Sequence, residues 1–427
     1  MPSSPPARRP PFSRGTDMSA APLDGLRVID FTRVLAGPHC TKALRDLGAQ
    51  IIKIEPPSGD LARVSLPHVG DMGLYFVQQN AGKRNLSIDL NWAEAREIVT
   101  DLCRTADIIV ENFRPGTLAR FGLAYEDVRA FNPRVVYASL SGYGQQTSWR
   151  NRPAFAPTVQ GETGLTAIVR GHFGDALTEP RGDACSHADV YTGLQGVIAI
   201  LAALNHRNQT GEGQHIDVSM AATMLSVNER AGAQLSGIDT DGEPIALSAN
   251  ESHIFEMPDG SQLTIAGSPI YTPMFSRYCA MMRRNDLLGD PRYATAHLRR
   301  KNLASLLAEI RAWLMTFPDL LQLQAQVSEA GLAVGTIRDV REFAESDWVK
   351  EWGAVVDVDD RAGGTTRMPG NPWRFSASVL PAPGVPAFQG EHNEDILSEN
   401  NIARSRIEDL KKRGVLLSRQ SPAGAYD

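Results

Sequence analysis

Cysteine is scarce. The chain has 427 residues and four cysteines, Cys40, Cys103, Cys185 and Cys279, too scattered for a disulfide framework. His39 and His187 stand near two of them, but no C-x-x-C and no second Cys/His pair completes a metal site, so no metal is expected. The cysteines read as reduced and structural, Cys185 included, although it lies just before Asp189. Long apolar runs are missing too: none approaches the ~20 residues a membrane helix needs, and the N-terminus lacks the apolar core of a secretory signal. No charge of one sign dominates. With 43 Lys and Arg against 49 Asp and Glu, interspersed, the net charge of -6 gives no attraction to nucleic acid or membrane. No G-x-G-x-x-G follows the first strand and no G-x-x-x-x-G-K-[ST] occurs, which disfavours a nicotinamide dehydrogenase or a P-loop enzyme. A soluble, cytoplasmic protein is the default reading of these absences.

The length allows two domains with a large buried core. Residues 1–21, rich in Pro, Arg and Ser without periodicity, read as a disordered arm, with Met18 as an alternative start. Short apolar runs at Leu26 to Ile29, Gln50 to Ile54, Asp107 to Val110 and Val135 to Ser139 alternate with segments of helical period, such as Trp92 to Arg104 after the polar Asn91. That is a βαβ series, hence a parallel sheet covered by helices: an α/β, Rossmann-like large domain over 22–235. Residues 236–253 are polar and irregular and read as a linker. A smaller α+β domain follows over 254–345, with a strand at Gln262 to Ala266 and helices near 271–284, 298–316 and 318–330.

The chemistry concentrates in Ala188-Asp189-Val190-Tyr191-Thr192-Gly193 and, about twenty residues on, Thr210-Gly211-Glu212-Gly213-Gln214-His215-Ile216-Asp217-Val218-Ser219-Met220. Apolar residues from Val190 to Leu204 recur at helical spacing, while Gly193, Gly196, Ala199, Ala202 and Ala203 permit a close neighbour; the pattern predicts a buried helix with Asp189 at its N-terminal end. An isolated Asp there is ordinarily an N-cap worth ~1 kcal/mol. Asp217, in the strand entering Ser219, reads as a structural turn or cap residue.

With Val34-Leu35-Ala36-Gly37-Pro38, Ile51-Ile52-Lys53-Ile54-Glu55-Pro56-Pro57, Asn80-Ala81-Gly82-Lys83-Arg84, Glu111-Asn112-Phe113-Arg114-Pro115-Gly116, Ser141-Gly142-Tyr143-Gly144 and Gly390-Glu391-His392 in that order, the chain resembles the family III CoA-transferases of the formyl-CoA and carnitine type over roughly residues 22 to 400. The resemblance implies an interlaced homodimer, a tail from about 346–427 that returns to the large domain, and no metal. It implies acyl-CoA and free carboxylic acids as substrates, coenzyme A being carried between them. Asp189 is then the nucleophile, giving an aspartyl anhydride and an aspartyl-CoA thioester in turn. The family's CoA contacts fall on Val34, Leu35, Ala36, Ile88, Asn91, Asn112, Phe113, Arg114 and Arg120, with Lys83 and Arg84 added for their charge; Arg114 and Arg120 suit phosphates and Phe113 offers a face to adenine.

Departures from the family pattern bear on specificity. Leu35 stands where formyl-CoA transferases carry a Gln, and Pro56 where they carry a basic residue after the second strand. Ser248 to His253 lacks their run of glycines; His253 and Asn250 read as ordinary loop residues with a possible contact to an acceptor carboxylate. Two other readings share the fold. An α-methylacyl-CoA racemase moves a proton with a His/Asp pair, but Phe155 stands where its basic His is expected, and a hydrocarbon ring takes no proton. A non-catalytic CoA-binding protein is the second.

Overall fold

The computed structural model describes residues 20–173, 183–229, 231–237 and 253–419, in two compact units. The larger holds the residues up to Gly232 and from Val349 onward; the smaller is Ala233–Trp348.

Six strands build the larger unit's sheet: β1 (Arg27–Asp30), β2 (Gln50–Glu55), β3 (Arg84–Ser87), β4 (Ile108–Glu111), β5 (Val136–Ser141) and β6 (Gln214–Ser219). All adjacent pairs are parallel, in the order β3-β2-β1-β4-β5-β6. Side chains alternate between two buried faces. Val28, Ile51, Ile108, Val136 and Ala138 meet the helices α1 (Ala36–Asp46) and α5 (His187–Thr210) on one side. Ile29, Ile52, Leu86, Ile109 and Tyr137 meet α3 (Ala93–Arg104) and the tail helices α10 (Asn393–Glu399) and α11 (Arg404–Lys412) on the other. The tail also covers the sheet edge: Ser87 N donates to Asn393 Oδ1 at 2.9 Å and Asp89 N to Val415 O at 2.9 Å, satisfying groups that an open edge would leave bare.

By length and hydropathy α5 could cross a bilayer. Instead its inner face presses on α1: a Cβ on Gly193 would lie 2.7 Å from Ala36 O, and one on Gly196 3.1 Å from Cys40 Sγ. Gly193→Ala is therefore expected to lose about 1–2 kcal/mol of stability by forcing the helices apart, despite the ~1 kcal/mol that alanine gains over glycine within a helix. An unchanged urea midpoint would refute this tight approach.

The smaller unit has an antiparallel sheet ordered β9 (Ala333–Thr336), β8 (Gln262–Ala266), β7 (Ile254–Glu256). Leu263, Ile265 and Phe255 pack on α7 (Thr272–Met282), α8 (Leu303–Leu314) and α9 (Leu320–Glu329) in its own core.

Candidate active site

The strand order reverses direction between β1 and β4, and in open α/β sheets ligands bind at the carboxyl ends of the strands at such a switch point. A cavity of about 330 Å³ opens there. Its walls are the loop after β1 with the start of α1 (Arg33, Val34, Leu35, Ala36), the loop after β4 (Asn112, Phe113, Arg114), the end of β5, and Asp189.

Buried polar groups fix the β1 loop. Val34 has φ +67°, a strained conformation for a β-branched residue. Its N–H donates to Asp60 Oδ1 at 3.1 Å, and the Asn112 amide clamps Arg33 on both sides, accepting from Arg33 N at 2.8 Å and donating to Arg33 O at 2.9 Å. Asp60 is itself paired with the buried Lys53 at 3.0 Å, whose Nζ also reaches Thr32 O. The loop is held in place before any ligand arrives, and Leu35 and Ala36, where α1 starts, line the cavity.

Asp189 lies in the first turn of α5 without capping it: the N-cap is Ser186, and the Asp189 carboxylate makes no hydrogen bond or ion pair among the described residues. Gln160, buried in α4 (Ala156–Glu162), does the anchoring, accepting from Ala188 N at 3.1 Å and donating to Asp183 Oδ2 and Cys185 O. Burial alone pushes the Asp189 carboxyl up to about 6. Burial, and then the Asp189 charge, push the Tyr75 phenol up, which places this residue of α2 (Leu74–Asn80) within electrostatic reach of the carboxylate.

Seven of the sequence-predicted residues thus meet in one cavity: Val34, Leu35, Ala36, Asn112, Phe113, Arg114 and Asp189. Five others are placed elsewhere. Lys83 is buried beneath the β1 loop, its Nζ bonded to Asp30 Oδ2 (3.2 Å), Pro38 O (3.1 Å), Thr41 Oγ1 (2.7 Å) and Asn80 Oδ1 (2.9 Å). Arg84 is occupied by Glu399 at 2.7 Å, Ile88 belongs to the sheet core, Asn91 bonds Asp89 Oδ1, and Arg120 is exposed beside the Phe121 ring. His253 precedes β7 in the smaller unit, Cys185 is exposed, and Asn250 lies outside the described residues. Asp217 accepts from Gln145 N at 2.7 Å, tying down the loop after β5. Phe155 lines the cavity.

Three charged cavity residues were missed by sequence reading: Arg33, Arg150 and Arg152. Arg152 is bound to Glu162 at 2.6 Å and lies over the Trp149 ring. Arg33, Arg114 and Arg150 have no carboxylate partner among the described residues, so three guanidinium groups are left for an anionic ligand. Among the described residues no three His, Cys, Asp or Glu side chains gather as a metal site.

Comparison with known proteins agrees with this geometry. The model of CoA-transferase family III matches residues 23–393. The chain is 33% identical over 398 residues to a succinyl-CoA:mesaconate CoA-transferase of Haloarcula hispanica, covering 89% of this chain and 96% of that protein. It is 28% identical over 421 residues to a formyl-CoA:oxalate CoA-transferase of Escherichia coli, covering 93% and 100%. The crystal structure of a CAIB/BAIF family protein from Brucella suis superposes with a TM-score of 0.74 at 30% identity, covering 90% of this chain and all of that one. The partnerless Asp189, the cationic cavity at the switch point and these matches have one explanation: the chain belongs to CoA-transferase family III.

Proposed function

We propose that this enzyme moves CoA from an acyl-CoA thioester to a free carboxylic acid by covalent catalysis at Asp189. The observation that carries the reading is the position of that carboxylate: desolvated, unpaired among the described residues, and facing a cavity with three guanidinium groups that lack a carboxylate partner among those residues. Water that would otherwise blunt the nucleophile is largely stripped away. An Asp189 oxygen attacks the thioester carbonyl, and the tetrahedral oxyanion is stabilised by the first-turn N–H groups and dipole of α1. Collapse expels the CoA thiolate and leaves a mixed anhydride. The thiolate attacks the aspartyl carbonyl, releasing the donor carboxylate and forming an aspartyl-CoA thioester. The acceptor carboxylate then displaces the thiolate to give a second anhydride. Thiolate attack on the acceptor's acyl carbonyl forms the new acyl-CoA and frees Asp189. One thioester replaces another, so only barriers need lowering. Arg33, Arg114 and Arg150 hold anionic groups of the CoA ester or the acid.

Phe155 at the cavity wall offers no base for α-proton removal, which favours transfer over racemisation. A homodimer fits the apolar stripe Leu194, Ile198 and Leu201 left exposed on α5, and the free cysteines fit the cytoplasm.

Incubation with an active acyl-CoA donor and hydroxylamine should inactivate the enzyme and leave a hydroxamate on the peptide containing Asp189. Intact-mass spectra without any covalent adduct under turnover would sink the mechanism. The pH profile gives a second test. Because the Asp189 carboxyl is raised to about 6, it is neutral below that pH and nucleophilic above it. At saturating CoA ester, kcat should rise about tenfold per pH unit below 6 and level off above about 7. A flat profile from pH 5 to 8 would exclude this group as the attacking base.

A further inference from the structure

A second cavity, of about 320 Å³, extends from the first toward β6 and shares Arg114, Pro115 and Arg150 with it. The transfer steps make no use of it. Its floor is a hydrogen-bonded row across three strands. Glu111, 6% exposed at the end of β4, accepts from Phe113 N at 2.8 Å and also bonds Ser139. Ser139 Oγ lies 3.0 Å from His215 Nε2, and the His215 ring stacks on Tyr125 at 5.0 Å. Beside this row Gln145 Nε2 is buried with no hydrogen-bond partner. Buried donors in native proteins are nearly always satisfied, so an orphan in a cavity wall marks a place for a ligand acceptor. At the rim, Arg114 and Arg150 have no anion among the described residues.

We propose that this cavity binds a free short-chain dicarboxylate, one carboxylate on the Arg114 and Arg150 guanidiniums and the other on the Glu111, Ser139 and Gln145 floor. Arg114 and Arg150 are exposed whereas Glu111 and Ser139 are buried, so rim and floor are separate stations. A monocarboxylate or an inorganic phosphate reaches only one; a dicarboxylate reaches both. Burial pushes the Glu111 carboxyl up to about 7, so at neutral pH much of it carries a proton that it can donate to a ligand carboxylate. The other titratable or charged groups around it are Tyr137 on β5, His215 and Asp217 on β6, Cys103 on α3 behind Tyr137, Glu126, and the rim arginines. An acid bound here holds two cations that also line the reaction cavity, and so competes with acyl-CoA for them.

This inference stands apart from the transfer reading, and its test does not need turnover. Succinate is titrated calorimetrically into the CoA-free Asp189→Asn protein, and saturating CoA should weaken its binding. One succinate per chain is expected, binding roughly tenfold more weakly at pH 8 than at pH 6 as Glu111 ionises. Glu111→Gln should flatten that pH dependence while keeping the binding, and Ser139→Leu, or the loop variant Gln145→Leu should the first not fold, should weaken it at least tenfold. Acetate and inorganic phosphate should bind at least tenfold more weakly than succinate. Absence of succinate binding at millimolar concentration, equal binding of phosphate, or indifference to the floor variants overturns the proposal. Succinate binding to a wild-type protein that transfers no CoA overturns only the transfer reading.

Discussion

Asp189→Asn abolishes CoA transfer: kcat is expected to fall by roughly 10⁴-fold or more, as when the attacking group of a covalent mechanism is deleted. The amide is nearly isosteric, and the β1 loop, held by Asp60 and Asn112, owes nothing to Asp189, so CoA affinity should change less than about threefold. No neighbour can stand in. Tyr75 is the ionisable side chain electrostatically coupled to the carboxylate, and its phenol is held protonated by burial and by that very charge. Cys185 is exposed and lies before the α5 cap, on the far side of Ser186 from Asp189. The measurement is mass-spectrometric detection of new acyl-CoA across a panel of donors and acids, beside calorimetric titration of CoA. Activity within tenfold of wild type would return Asp189 to a structural role. Intact CoA binding in a wild type that transfers nothing would favour the non-catalytic alternative.

The same substitution should stabilise the fold. A carboxyl raised from 3.8 to about 6 binds its proton more tightly folded than unfolded. Ionising it therefore costs stability progressively as pH climbs through that window, and the full cost persists above it. The asparagine variant has no such cost. Each tenfold gain in proton affinity corresponds to about 1.4 kcal/mol, but water still reaches the partly exposed group and the α5 N-terminus favours a negative charge, so a net gain of about 1 kcal/mol at pH 7.5 is expected. It should vanish below pH 4. A catalytic group kept at the expense of stability is the usual trade at active sites.

Most of the sheet was legible because its central strands are apolar runs with turn residues between them: Gln50–Glu55, Ile108–Glu111 and Val136–Ser141 fall where the runs do. Edge strand β3 was not. Arg-Asn-Leu-Ser has little apolar character, and what makes it a strand is distant: Asn85 Nδ2 reaches Glu55, and Ser87 N reaches Asn393. Asp189 and the β1 and β4 loops were legible from their motif blocks. The place of Asp189 at the N-terminal end of α5 was legible too, but not that Ser186 takes the cap position, because Ser186 and the Gln160 contact that sets the helix start are not linked in sequence. Arg33, Arg150 and Arg152 escaped notice for a simpler reason. An arginine in a polar stretch looks like solvated surface, and only the return of the chain after β5 brings the last two over the switch point.

Lys83 exposes the opposite error, since a Lys-Arg pair beside a motif block reads as a phosphate contact while the fold uses the lysine as an internal strut. Burial pulls its ammonium down to about 8, so it is still largely charged at neutral pH. Its partner Asp30 is fully buried; burial alone would raise that carboxyl, but Lys83, Lys53 and the hydroxyls of Thr32 and Thr41 hold it below the ordinary range. Lys83→Met removes one member of a buried pair and strands the other, an imbalance that costs about 3–5 kcal/mol when no water can enter. The midpoint of urea unfolding should drop accordingly, while KM for the CoA ester at a temperature where the variant is folded stays within about twofold. Adding Asp30→Asn should recover part of the loss, because the two side chains are coupled and their effects do not add. A phosphate-binding lysine gives the reverse pattern: stability nearly unchanged and KM raised about tenfold or more for the loss of a charge-assisted contact. That outcome would move Lys83 back to the cavity and require the β1 loop to open when CoA binds.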